Sequence, residues 1–271
     1  MLSGFDLDFL YATDPVLRVN RTFGLGFKLD PVQEQIIRSD SERLIVCCSR
    51  QWGKTTTVAA KAAAEALDQP GLVLVLAPVE RQARECFRKI KGCLVRGAPR
   101  LRYLEDNKTS CELENGARIV VAAARGENIR GFSNPRVVII DEAAFVADED
   151  YRAVRPMLSH GGRLILLSTP FGKRGFFHDE WNDLRGPWER YTVAAEDCSH
   201  IKASFLEEER VSLGPWWYEQ EYECKFLDSI AGFFDMGAVR DALEAGVSPL
   251  FTQRGDGHED YVCADVLPLF A

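Results

Sequence analysis

The segment from Arg43 to Leu67 constrains the fold more than any other part of the chain. Arg43 to Cys48 is a mostly apolar run that predicts a buried strand, and Thr55 to Leu67 is rich in alanine and predicts a helix. Between them lies the sequence Ser-Arg-Gln-Trp-Gly-Lys. A Gly-Lys-Thr sequence that follows a strand and opens a helix turns backbone N–H groups and the positive helix end toward one point. The segment therefore predicts a phosphate-binding loop, in a variant form because Cys48 replaces the first glycine of the usual pattern.

Further apolar runs alternate with helical patterns along the chain. Continuous Val/Ile/Leu strands separated by helices predict an α/β fold whose mostly parallel central sheet is covered by helices on both faces. One exception is a hairpin, which Cys111 to Leu113 and the turn Asn115-Gly116 predict before the next strand. The predicted strands after the first are Leu72 to Ala77, Arg118 to Ala123, Val137 to Ile140 and Arg163 to Leu167.

Composition narrows the classes of protein that this chain can belong to. Its 271 residues, 46% of them hydrophobic, are enough for one large α/β domain or for one domain plus a fragment. A net charge of -8 argues against a protein that coats DNA, although a local basic patch can still contact nucleic acid. Eight cysteines without a CxxC pair favour reduced thiols over disulfides or zinc. The sequence has no run of 18 apolar residues and no basic leader, so we expect a cytoplasmic protein without membrane insertion.

The candidate nucleotide site combines the loop with the acidic end of a later strand. Lys54 adds a point charge, and the hydroxyl of Thr55 can complete a Mg²⁺ shell. Asp141 and Glu142 follow the run Val137 to Ile140, and ligands of open α/β sheets bind beyond the carboxyl ends of strands. Asp141 would hold Mg²⁺, and Glu142 would orient and deprotonate the attacking water of ATP hydrolysis. The alternative is a helix start without ligand beside two solvated acids. The full set of candidate nucleotide-binding residues is Gln33, Ser49, Arg50, Gln51, Trp52, Gly53, Lys54, Thr55 and Thr56.

Other residues fit the same chemistry, each with a plainer alternative. Gln33 could bond to the adenine, or it could be an exposed helical glutamine. Arg130 could reach a phosphate as an arginine finger, in cis or from a neighbouring subunit, and Arg50 is the rival for that role. Ser168, Thr169 and Pro170 close a strand, where the hydroxyls could sense the γ-phosphate, or they could form an ordinary strand exit.

A basic strip is predicted on the helix from Glu80 to Val95. Such a strip would bind DNA phosphates without sequence preference and in a salt-sensitive way, and a solvated helix face is the alternative. Its candidate DNA-binding residues are Arg81, Arg84, Arg88 and Lys91.

Four segments together resemble the large subunit of tailed-phage terminases, over roughly residues 25 to 235. They are SRQWGKTT, LAPVERQARECF, IRGF shortly before VVIIDEAAF, and LLSTPFGKRGFFHDEW. The resemblance implies a P-loop ATPase domain of the additional-strand, catalytic-glutamate type that uses ATP and Mg²⁺ to move double-stranded DNA into a procapsid. It also implies a portal protein and a small terminase subunit as partners, and a homo-oligomeric ring that is monomeric in isolation.

The resemblance also assigns roles by motif position. Arg50, Lys54 and Thr55 become phosphate-loop residues, and Asp141 and Glu142 become the metal-binding and catalytic acids. Ser168, Thr169 and Pro170 become a coupling motif, and Arg130 becomes the candidate trans-acting arginine.

Residues 1–230 are thereby predicted to form the ATPase domain, residues 231–260 a linker or subdomain, and residues 261–271 a vestigial first strand of an RNase H-like nuclease. A two-metal nuclease needs several carboxylates, so Asp265 alone predicts no nuclease activity. A prophage remnant and an excised ATPase domain both remain open explanations. The alternative functions are a catalytically weak remnant that binds nucleotide and another DNA translocase or helicase, although too few residues follow position 228 for a second helicase domain.

Overall fold

One eight-stranded sheet organises residues 14–25 and 28–228, the part of the chain that this computed structural model describes. The spatial order of the strands is β3-β4-β5-β2-β6-β7-β1-β8. The pairs β3-β4 and β4-β5 are antiparallel and all the others are parallel, which confirms the predicted mostly parallel sheet and the predicted hairpin, formed by β4 and β5. The strands β3 and β8, and with β3 a second hairpin, were not predicted. The strands are β1 (Arg43–Cys48), β2 (Gly71–Ala77), β3 (Tyr103–Asp106), β4 (Ser110–Leu113), β5 (Ala117–Ala123), β6 (Val137–Asp141), β7 (Arg163–Ser168) and β8 (Glu189–Val193).

Eight α-helices accompany the sheet within the described residues. The last is broken at Gly214, with φ of 75°, because the following Pro215 cannot donate a helical hydrogen bond. Short 3₁₀ turns lie at Ala143–Phe145, Arg155–Leu158 and Ala195–Asp197. None of the helices in this part of the chain is long and apolar enough to cross a bilayer. The helices are α1 (Pro15–Thr22), α2 (Pro31–Arg38), α3 (Lys54–Asp68), α4 (Glu80–Gly97), α5 (Gly126–Ile129), α6 (Asp148–Val154), α7 (Gly175–Asn182) and α8 (Ala203–Glu221).

Both faces of the sheet are covered, as the continuous apolar strands predict. Side chains alternate between the faces of a strand, and in β1 Leu44 and Val46 enter one hydrophobic cluster whereas Ile45 enters the other. The first cluster includes residues of α1 to α4, and the second includes residues of α6 and α7. Each strand of the centre is therefore buried on two sides, which explains the absence of a polar-apolar alternation in its sequence.

The order of the central strands places β7 between β1 and β6. Cys47 of β1 lies beside Ser168 of β7, and Leu167 lies beside Asp141 of β6. Because these strands are parallel, their carboxyl ends meet at one edge of the sheet. This is the additional-strand arrangement of P-loop NTPases, and it brings the candidate loop, the two acids and Ser168 to the same edge.

A buried charge network joins α3 to the opposite ends of β6 and β7. The carboxylate of Glu65 lies 2.9 Å from the Lys61 ammonium and 2.7 Å from the Arg136 guanidinium, and it also pairs with Arg163. Burial acts to raise the pKa of Glu65, but Lys61, Arg163 and Arg136 outweigh it and lower the pKa to about 2. The helix that begins at Lys54 is thus fixed against the two strands whose far ends carry Asp141 and Ser168.

Glu65→Gln is expected to lower the free energy of unfolding by about 3–5 kcal/mol at pH 7, because the buried Lys61 and the partly buried Arg136 and Arg163 lose the carboxylate that they share. A lowered pKa contributes stability that is complete above the unfolded-state value near 4.5 and that fades as the pH falls toward 2. Urea denaturation should therefore show a shallower loss of stability below pH 5 in the variant than in the wild type. Glu34→Gln, at an i,i+4 surface pair with Arg38, is the control and should cost less than about 1 kcal/mol.

The remaining predicted segments, residues 231–260 and 261–271 with Asp265, lie outside the described residues. The predicted domain boundaries, including the one at residue 230, stay predictions.

Candidate active site

Residues 49–53 form the loop between β1 and α3, and two left-handed residues shape it. Gln51 has φ of 68° and Gly53 has φ of 102°. Gly53 is the N-cap of α3 and offers no side chain to the helix end, so the first N–H groups of α3 carry no side-chain cap. A Cβ on this residue would lie 3.3 Å from the amide nitrogen of Gln33. Glycine therefore suits both the left-handed backbone conformation and the close contact with Gln33. It also leaves the positive end of the helix open to an anion.

The loop is bound to the start of α2 through Trp52, which is 1% exposed. Its indole N–H donates to the Asp30 carboxylate, and its carbonyl accepts a 3.2 Å hydrogen bond from the side-chain amide of Gln33. Asp30 and Gln33 also form a capping box, with bonds of 2.8 and 3.1 Å. Gln33 is buried, so the alternative of an exposed helical glutamine is wrong. Its contact with adenine stays a prediction. Sequence reasoning missed Asp30, which its Asp-Pro-x-Gln capping signature could have revealed.

The start of α3 meets the end of β6. The hydroxyl of Thr55 donates to Asp141 Oδ2 at 3.1 Å, and Lys54 Nζ lies 3.7 Å from Glu142 Oε1. Glu142 has φ of 53°, a conformation that a glutamate rarely adopts, and its N–H donates to Asp141 Oδ1 at 3.1 Å. These four residues, predicted as the core of the nucleotide site, thus lie together. Thr55 and Asp141 present hydroxyl and carboxylate oxygens, the ligands that suit Mg²⁺.

The electrostatics of this group favour a bound cation. Burial and the charge of Glu142 raise the pKa of Asp141 to about 6, against the opposing effect of Lys54. Burial acts to lower the pKa of Lys54, but Cys48, Glu142 and Asp141 outweigh it, and the pKa is raised. No cluster of three His, Cys, Asp or Glu that could hold a metal occurs among the described residues. A Mg²⁺ ion at Thr55 and Asp141 would therefore take its other ligands from water and phosphate, as this ion commonly does in nucleotide sites.

Ser168 links the end of β7 to the segment after Glu142. It is fully buried, and its hydroxyl accepts a 3.1 Å hydrogen bond from the N–H of Ala144. Thr169 is also buried, at 2% exposed. The strand exit is therefore in direct contact with the acidic turn, a geometry that a sensing role requires.

The end of α8 supplies two residues that sequence reasoning missed. The carbonyl of Glu221 accepts a 2.8 Å hydrogen bond from the N–H of Arg50, and its carboxylate lies 4.0 Å from the exposed Arg50 guanidinium. Burial raises the pKa of Glu221, although Arg50 and Lys54 oppose it. Gln220 Oε1 accepts a 3.0 Å bond from the N–H of Gly172, just after Pro170. No local pattern signals these contacts, because the partners are far apart in the sequence.

Arg130 does not line the cavity that contains the two acids. It follows α5 and lies in a separate cavity of about 590 Å³, whose other residues include Phe132, Arg152 and His160. The cavity at the acids has a volume of about 490 Å³, and we call it the acidic cavity. Its lining residues are Thr55, Arg81, Gln82, Glu85, Asp141 and Glu142.

The predicted basic strip does lie on α4, but its residues differ in their surroundings. Arg84 pairs with Glu80 at 2.5 Å, Arg88 pairs with Glu85, and Lys91 pairs with Asp106. Arg81 instead lines the acidic cavity. A role for these residues in DNA binding stays a prediction, and their charges do not form one uniform free strip.

Comparison with known proteins places the fold in one family. The family model described as "Terminase large subunit, T4likevirus-type, N-terminal" matches residues 45–239. The large terminase ATPase domain of Thermus phage P74-26 aligns with a TM-score of 0.65 and 23% identity, over 75% of this chain and 96% of that one.

Two longer terminases share the same fold. The large terminase of the thermophilic bacteriophage D6E aligns with a TM-score of 0.62 and 14% identity, over 73% of this chain and 53% of that one. The HK97 bacteriophage large terminase gives 0.58 and 16%, over 86% and 52%. The chain thus spans about half the length of these two proteins. Structures of the D6E terminase in complex with ADP and with ATP-gamma-S are also among the matches.

Proposed function

The chain belongs to the family of terminase large subunits, matching its T4likevirus-type N-terminal model, and from that premise we propose that it hydrolyses ATP to move double-stranded DNA into a procapsid. The observation that carries the proposal is the meeting of Lys54 and Thr55 with Asp141 and Glu142 at one edge of the sheet. The binding of ADP and ATP-gamma-S by a D6E terminase of the same fold supports ATP as the nucleotide.

The geometry supports a division of roles among these residues. The N–H groups at the start of α3 and the Lys54 ammonium bind the phosphates, while Thr55 and Asp141 hold Mg²⁺, which when bound neutralises charge on the phosphate oxygens. A phosphate oxygen would compete with Glu142 for the Lys54 ammonium, which lies 3.7 Å from Glu142 Oε1. The freed carboxylate of Glu142 then orients the attacking water and accepts its proton.

Two further contacts suit a motor. The hydroxyl of Ser168 accepts a hydrogen bond from Ala144, two residues after Glu142. A movement of the acidic turn would therefore also move Ser168 and the residues that follow it, Thr169 and Pro170. Gln220 then bonds to Gly172 just beyond them. We assign this path the role of passing the nucleotide state to the rest of the motor.

We also propose partners that the geometry of the nucleotide site does not itself indicate. These are duplex DNA, which residues of α4 would contact, a portal protein and a small terminase subunit, all in the host cytoplasm. The assembled form is a homo-oligomeric ring in which Arg130 enters the site of a neighbour, and the isolated chain is a monomer. Residues 1–230 form the ATPase domain in this proposal, and the chain cuts no DNA.

Lys54→Ala is expected to weaken ATP binding about 10–100-fold, because a charge-assisted contact to phosphate is lost. Isothermal titration with ATP and Mg²⁺ measures the effect, and Lys108→Ala, at an exposed site in the β3–β4 turn, is the control. An unchanged affinity for ATP in the Lys54 variant would remove the phosphate-loop assignment.

ATP turnover with and without duplex DNA separates the proposal from its rivals. A translocase hydrolyses ATP, and DNA changes its rate. A chain that binds ATP through Lys54 without turnover, even at concentrations where rings form, would be the nucleotide-binding remnant instead.

A further inference from the structure

Arg81 lies next to the acids because of the strand order. Strand β2 pairs with β6 in parallel, with Leu76 beside Ile140, so the end of β2 lies next to Asp141. Helix α4 begins at Glu80, just beyond that end, and its first turn carries Arg81 into the lining of the acidic cavity. The position is thus fixed by the sheet and by a helix of 18 residues, not by a loose loop.

The guanidinium of Arg81 makes no hydrogen bond or ion pair with another residue of the described part of the chain. Its neighbours on the same helix differ, because Arg84 pairs with Glu80 and Arg88 pairs with Glu85. The Arg81 side chain is exposed to the cavity solvent. A guanidinium with five N–H donors and no partner is suited to bind an anion that enters the cavity.

The position of the Thr55–Asp141 pair determines which part of the nucleotide reaches Arg81. Thr55 and Asp141 would hold the Mg²⁺ ion that accompanies the terminal phosphates, and the loop at the start of α3 would bind the phosphate that ATP and ADP share. The γ-phosphate of ATP would then lie near Glu142, in the cavity that Thr55, Asp141 and Glu142 line together with Arg81. ADP has no group in this position.

We propose that Arg81 binds the γ-phosphate of ATP within the same subunit and so makes the site distinguish ATP from ADP. The inference rests on the proposed function, since it needs a nucleotide bound at Lys54. The planar guanidinium can donate two parallel hydrogen bonds to the oxygens of one phosphate, which an ammonium cannot. Arg81 is therefore a cis contact that differs from Arg130, whose cavity is separate.

The test is the affinity of Arg81→Ala for ATP-gamma-S and for ADP, each with Mg²⁺, measured by isothermal titration. We expect the affinity for ATP-gamma-S to fall about 10–100-fold and the affinity for ADP to stay within about twofold. Arg81→Lys should recover part of the loss, because it keeps the charge without the paired donors. Arg185→Ala, at an exposed arginine in the turn after α7 and outside the lining of the acidic cavity, should change neither affinity.

Each other outcome overturns the inference. Equal losses for both nucleotides, or no loss for either, would show that Arg81 does not contact the γ-phosphate. The ratio of the affinities for ATP-gamma-S and ADP could instead stay unchanged while duplex DNA binds more weakly and with a smaller salt dependence. That result would assign Arg81 to DNA binding. If the wild type binds both nucleotides, these results leave the proposed function standing. If the wild type binds neither, the proposed function fails with the inference.

Discussion

Glu142→Gln is expected to lower the rate of ATP hydrolysis about 10²–10⁴-fold while ATP still binds. The substitution removes the carboxylate that accepts the proton of the attacking water and keeps the size of the side chain. Lys54 loses an ion-pair partner 3.7 Å away, which leaves its charge free for phosphate, so the affinity for ATP should not fall. Steady-state turnover and isothermal titration on the same preparation separate the two effects.

The control for this variant is Glu149→Gln, on the exposed face of α6 away from the acidic cavity, which should hydrolyse ATP at the wild-type rate. Near wild-type turnover in Glu142→Gln would remove Glu142 from the role of water-activating acid. Loss of ATP binding in the variant would instead show that Glu142 acts on ground-state binding and not on the water.

Arg130→Ala is expected to lower the turnover of assembled subunits about 10³–10⁵-fold, the value of an arginine finger supplied in trans. Arg130 lies outside the acidic cavity of its own subunit, in the cavity beside Arg152. If Arg130 is the finger, it would reach a γ-phosphate when a neighbouring subunit presents its site. The wild-type specific activity should rise with protein concentration, and the isolated chain should be a slow ATPase.

Mixing two inactive variants tests the trans assignment directly. Subunits with Arg130→Ala keep their Glu142, and subunits with Glu142→Gln keep their Arg130, so mixed rings contain complete sites and should regain part of the activity. Arg152→Ala, from the same cavity as Arg130, is the matched control. A flat specific activity and an inactive mixture, under conditions where rings form, would favour Arg50, which lies in the loop itself and acts in cis.

Local sequence determined the parts of this site that depend on neighbouring residues. A continuous apolar run can only be buried on both sides, so β1 and β6 were readable as central strands. The Gly-Lys-Thr step at Gly53 needs a left-handed residue before a helix, and φ of 102° is what the structure has there. The location of the candidate site at the two acids after β6 was predictable, because ligands of open α/β sheets bind beyond the carboxyl ends of strands.

Tertiary structure decided what depends on contacts between distant segments. The position of β7 between β1 and β6 was predicted only by the family resemblance, because the sequence of an apolar strand does not specify which strands pair with it. The contact of Glu221 with Arg50 joins the end of α8 to the loop after β1, and no periodic pattern in the sequence signals it. In the sequence, nothing distinguishes Arg81 from the other basic residues of α4. Only the pairing of β2 with β6 places Arg81 in the lining of the cavity beside Asp141. The sequence thus specified the local chemistry of the loop and the acids, and long-range packing specified which further charges surround them.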